Sequence, residues 1–223
     1  MDIFSLPLRI AIVVAAALLL GWLFLGYLRR DRHKMQHMLD GFLSVLVDTR
    51  TGRSPWGYEF VEGSLDGRPA RVSLLPDSLI TRTLPTLWLE LRCARRHDAW
   101  LCVIVAANGM EYFTDDVDEG SRLVTPVEWP ESVVVRGKGP QSAALARRLG
   151  NLDLTAYDDL KMLTLSETET KVIMRCARAD VPYYRTLRTA DFPEDSVKPE
   201  LVLETVQVLR DLESILDAGE EVA

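Results

Sequence analysis

The chain has 223 residues, 48% of them apolar and 8% aromatic, and a formal net charge of −7, a composition that supports an ordinary hydrophobic core. The charge is lopsided: from Asp191 onward ten acids face only Lys198 and Arg210, so that region carries −8 and everything before it +1. A nucleic-acid partner is therefore not expected, and Cys93, Cys102 and Cys176, odd in number and at no metal-ligand spacing, imply neither a disulfide framework nor a zinc knot.

The N-terminal run from Leu6 to Leu28 is the most apolar stretch, with no charge between Ile10 and Leu28. Nineteen helical residues at about 1.5 Å each approach the ~30 Å of a bilayer core, so residues 1–28 are expected to form a single-pass transmembrane anchor. A cleaved signal fits less well, because Trp22, Phe24 and Tyr27 stand where small residues should lie. Arg29, Arg30, Arg32 and Lys34 follow directly and suit anionic lipid headgroups. The positive-inside rule then places the N-terminus outside and the rest in the cytosol, at an inner (plasma) membrane of bacterial type.

Residues 29–48 are expected to continue as a juxtamembrane amphipathic helix, with Met35, Leu39, Phe42 and Leu46 as its apolar stripe. That stripe is the expected surface for a protein partner or for self-association, unless it docks on its own domain. His33 and His37, four apart on one helical face, are weak candidates for a metal or for pH response; no third ligand is evident.

Thr49 to Gly57 reads as turn, opening a domain over residues 49–223. Asp66-Gly67 between two strand-like runs is a strong hairpin signal, placing Glu62 opposite Arg71 and Val61 opposite Val72, with Pro69 at an edge. Leu87 to Arg95 alternates, and Ala99 to Ala106 is apolar; as a second hairpin around Arg96 to Asp98 they would set Cys93 opposite Cys102. Two buried free thiols are the expectation there, a bridge the alternative, and His97 in the turn is expected to be exposed.

An acidic loop (Asp115, Asp116, Asp118, Glu119) faintly resembles a calcium loop but lacks its remaining ligands. A short helix over Ser142 to Leu149 is followed by a variant capping box at Thr155 and Asp158, then a third hairpin, Lys161 to Ser166 with Lys171 to Ala177. Tyr183, Tyr184, Arg185 and Arg188 are an aromatic-basic cluster that could meet a phosphate or an acidic partner. A wide amphipathic helix over about 199–217 precedes an acidic tail.

The whole reads as α+β: an anchor, then antiparallel hairpins covered by a C-terminal helix. No phosphate-binding loop, nucleophile elbow, HExxH or CxxC occurs, so no catalytic residue and no cofactor are assigned. The expected function is non-enzymatic assembly or scaffolding at a membrane, with a small-molecule or lipid-sensing domain as the alternative.

Overall fold

A computed structural model describes residues 12–23, 25–26, 37–54, 58–77, 85–107, 119–179, 192–193 and 195–218. These form one nine-stranded sheet with a few helices. In chain order the elements are α1 (12–23), α2 (Asp40–Leu43), β1 (Val47–Arg53), β2 (Glu59–Leu65), β3 (Arg68–Asp77), β4 (Thr86–Ala94), β5 (Trp100–Ile104), β6 (Ser121–Arg122), β7 (Val134–Lys138), α3 (Ser142–Leu149), β8 (Leu160–Leu165), β9 (Glu169–Arg178) and α4 (Pro199–Ala218). The strand order is β1-β2-β3-β4-β9-β8-β5-β7-β6, and each of these pairings is antiparallel.

The expected α+β layout behind a transmembrane anchor is therefore corrected to a mostly antiparallel β domain. Among the described residues no helix is long and apolar enough to cross a membrane. With the anchor go the single-pass topology and the inner-membrane placement with a cytosolic domain. The expected helix over 29–48 is also revised. Within its described part only the turn α2 is helical, and the chain enters β1 at Val47, through the residues read as turn.

Local signals account for the hairpins. Asp66 and Gly67 adopt φ of 50° and 81°, the left-handed pair of a type I′ turn, and they fix Glu62 opposite Arg71 and Val61 opposite Val72 as expected. Pro69 pairs with Ser64, while the β3–β4 ladder begins only at Ala70, so the proline sits where an inner strand has one neighbour. The β8–β9 hairpin turns at Ser166 to Thr168, where Ser166 donates its N–H to Glu169 O at 2.9 Å.

The second expected hairpin does not exist. β4 pairs with β3 and β9, and β5 with β7 and β8, because the β8–β9 hairpin is inserted between them. Cys93 faces Ala70 and Thr170, and Cys102 faces Arg136 and Thr164. Three strand spacings separate β4 from β5, roughly 14 Å at ~4.8 Å each, twice what a disulfide spans. Both cysteines are buried and neither is in a disulfide.

Alternation divides the sheet into two buried faces. Val61, Val72, Leu89, Leu91, Leu101, Leu163 and Val172 belong to the main core, with Leu39, Phe42 and Leu46 from around α2. Trp88, Cys102, Ile104, Met162 and Ile173 form a second cluster from the alternate positions. Across the main core lies α4, burying Leu201, Val202, Val208, Leu209, Leu212 and Leu216 and contacting β9, α3 and α2. Its polar face clamps the sheet ends: Arg210 grips Asp66 with Nε and Nη2, each 3.0 Å away. Arg68 donates to Glu213, and Arg95 to Asp217 at 2.5 Å. The expected capping box is replaced by Asp153, whose carboxylate accepts from Thr155 N at 3.0 Å at the head of a single 3-10 turn.

Two outcomes follow for stability and redox state. Leu212 is fully buried and Leu203 is 66% exposed; Leu212→Ala is expected to lower urea-unfolding stability by about 2–5 kcal/mol, and Leu203→Ala to change it by no more than about 0.5 kcal/mol. Thiol titration in guanidinium without reductant should find all three cysteines reactive, and a count of one would mean that a bridge forms.

Candidate functional site

Two features of the described surface can bind something. The first is the sheet edge at β1. Among the described residues this strand pairs only with β2, and it is exposed along its length except for half-buried Gly52. Ser54 N–H donates to Tyr58 O at 2.8 Å just beyond the ladder. Hydrogen-bonding direction alternates along an antiparallel strand, so Gly52 and Arg50 bond inward to Phe60 and Glu62, and the N–H and C=O groups of Thr51 and Arg53 point outward.

β1 is held firmly enough to act as a template. The Phe60 ring lies where a Cβ on residue 52 would be, 2.3 Å from its Cζ, so only glycine lets the ring cover the strand. Arg71 caps that ring at 3.8 Å from its centroid and also pairs with Glu62 at 3.1 Å. The register breaks between Val47 and Arg50, where Asp48 takes φ 53°. Beside this bulge is a shallow hollow of about 340 Å³ lined by Asp48, Arg50, Glu62, Ser64 and Pro69. A bulge re-aims side chains and commonly ends a pairing run.

The second feature arises from the inserted hairpin. Residues 95–99 must carry the chain across the β8–β9 tip, and they form a strap bonded to it. Arg95 N–H donates to Thr168 O at 3.1 Å, and His97 Nε2 lies 2.8 Å from Thr170 Oγ1. Where the strap faces α3 and the end of α4 a cleft of about 270 Å³ opens, lined by Arg96, His97, Asp98, Gln141, Arg148 and Leu216 among others. Arg148 Nη2 donates to Leu216 O, tying α3 to the last turn of α4, where orphan carbonyls welcome a cation. His97 is half-buried, against the exposed position expected. Burial, then the neighbouring Arg95 charge, pulls its pKa down to about 4, so near pH 7 the ring is neutral and a weak proton acceptor.

The residues singled out in the sequence are distributed as follows. Leu39, Phe42 and Leu46 are buried in the main core, so their apolar surface is used inside the domain. Met35, His33, Arg29, Arg30, Arg32, Lys34, Asp115, Asp116, Asp118 and the Tyr183 to Arg188 cluster lie outside the described residues. His37 Nδ1 is 3.0 Å from Asp40 Oδ2, and Glu119 accepts from Lys138 at 2.5 Å. No group of three His, Cys, Asp or Glu side chains able to hold a metal occurs among the described residues. Sequence reasoning missed β1 because Gly52, Ser54 and Gly57 signal turns, although Val47, Thr49 and Thr51 alternate as a strand should. It missed the cleft because residues 96, 141, 148 and 216 meet only through the topology.

The strap histidine makes stability pH-dependent. Its folded pKa lies below the ordinary 6.5, so between those values the unfolded chain binds the extra proton. His97's neutral burial should therefore be fully tolerated above about pH 6.5 and should destabilise progressively as pH falls toward 4. Urea midpoints from pH 7 to 4 should drop less steeply in His97→Gln; parallel curves would refute the assignment. Compared with protein-family models, curated proteins and solved structures, the chain has no match.

Proposed function

We propose that this chain is a non-enzymatic interaction domain that takes an extended segment of a partner protein by strand addition onto β1. One observation carries the reading: among the described residues, seven-residue β1 forms one end of the sheet with all but Gly52 exposed, whereas the opposite end is the two-residue β6. Unpaired N–H and C=O groups on an edge are a template for another strand. Main-chain bonds supply affinity in this mode, and side-chain hollows supply selection. The hollow beside Asp48 and Arg50 is placed for the second role. Arg50 and Arg53 keep the edge soluble while leaving its backbone open.

The chemistry of the strap cleft also favours binding over catalysis. Its histidine is a weak base, and among the described residues no serine, threonine or cysteine belongs to its lining.

The test exploits the outward direction of residue 51. Proline there removes an N–H that β2 does not use, and edge strands tolerate it. Tagged full-length protein is expected to co-purify with a stoichiometric partner whose recovery falls at least about tenfold with Thr51→Pro, a loss of ~1.4 kcal/mol. The melting temperature should stay close to that of the unmodified chain, and the amides of Thr51 and Arg53 should gain hydrogen-exchange protection in the complex. Undiminished recovery with Thr51→Pro, or protection confined to another element, would defeat the proposal.

A further inference from the structure

We infer that the cleft between the strap and α3 is a binding site for a small oxyanion, either a phosphate group or the carboxylates of a short diacid. The site is separate from the β1 edge and goes beyond the strand-addition reading. Its cations come from two elements far apart in sequence: Arg96 from the strap and Arg148 from α3 both line the same hollow. Among the described residues Asp98 is the one carboxylate in that lining, and Gln141 adds an amide that can donate. The next basic residue, Arg95, is engaged by Asp217 at 2.5 Å, so the lining keeps a net single positive charge.

The arginine on α3 is incompletely used. Nη2 of Arg148 donates to Leu216 O, but its Nε is buried with no hydrogen-bond partner. A guanidinium presents five N–H donors in a planar fork matched to paired oxygens, and the bond to Leu216 O takes up one of them, which leaves Arg148 with donors beyond it for an oxyanion in the cleft. The cleft's size sets the class of ligand. At about 270 Å³ it falls just below the roughly 300–1,000 Å³ of drug-sized pockets, which suits a phosphate or a short diacid. The strap is held by the His97 and Arg95 bonds to the β8–β9 tip, so Arg96 is carried on an anchored segment.

The experiment is isothermal titration of the full chain with inorganic phosphate and, separately, with succinate at low ionic strength. The expected result is saturable one-site binding of at least one of them. Phosphate alone identifies a phosphoryl site, succinate alone a dicarboxylate site, and both a general oxyanion site. Arg96→Gln should weaken binding about tenfold, as loss of one charge-assisted contact does. Asp98→Asn should strengthen it several-fold by removing a like charge from the lining. Arg178→Gln, exposed at the opposite end of β9, should leave it unchanged. No saturable binding of either anion, or equal weakening by Arg96→Gln and Arg178→Gln, would overturn the assignment.

Discussion

The pairing of β9 with β4 is the constraint on which the domain depends. β1 to β4 form a meander in sequence order, and β5 to β9 form a second set; in the strand order the two sets meet only at the β4–β9 ladder. That ladder runs from Thr86 opposite Arg178 to Ala94 opposite Glu169. It joins residues some eighty positions apart, so its loop-closure cost must be met before its contacts contribute. The burial that offsets this cost is concentrated there: Leu89, Leu91, Val172 and Met174 lie on the core side, beneath α4. The helix is thus a cover placed over the seam between the two sets.

The other side of the same seam carries charge. Arg71, Arg92 and Lys171 stand in register on β3, β4 and β9, an arrangement of like charges that would weaken a sheet by itself. Carboxylates are interleaved with them. Buried Glu90 accepts from Arg92 Nε at 2.7 Å and Nη2 at 3.1 Å, from Ser73 Oγ at 3.2 Å, and lies 4.0 Å from Lys171 Nζ. Glu62 serves Arg71, and Glu169 reaches Arg92 at 3.4 Å. Such a network contributes little as a sum of pairs, because the desolvation of buried charge consumes much of the Coulomb gain. Its geometry nevertheless matches one register: a slip by one residue would send Glu90 into the apolar core and bring leucines to the charged face.

The parts of this fold that local chemistry dictates were legible in the sequence. Asp66-Gly67 determines its hairpin and register, and the spacing of Leu201, Val208, Leu212 and Ile215 determines α4. The stripe Leu39, Phe42 and Leu46, expected either to meet a partner or to dock on its own domain, is buried in the main core, and the helix it implied ends early, because Asp48 takes a left-handed conformation and Thr49 and Thr51 favour extended chain. What could not be read is the insertion of β8–β9 between β4 and β5. An alternating segment and an apolar one joined by Arg96-His97-Asp98 look like a hairpin, and no residue in them announces that another hairpin intervenes. That one non-local fact turned an exposed turn histidine into a half-buried strap residue, separated two cysteines expected to face each other, and created the cleft.

The two ends of the sheet are unequal for a related reason. Beyond β5 the sheet runs out quickly: β7 pairs through only five residues and β6 through two, leaving little backbone to recruit another chain. Beyond β4, the β3 and β2 ladders stay long, and β1 inherits a well-supported neighbour. Phe60 lies across Gly52, and Arg71 lies on Phe60, so the outermost strand is fastened through its own face without using its free edge. A template fixed in this way loses little conformational freedom when another strand joins it. The ordering cost then falls on the incoming segment, whose bonds to Thr51 and Arg53 would lengthen the ladder without touching the β4–β9 seam.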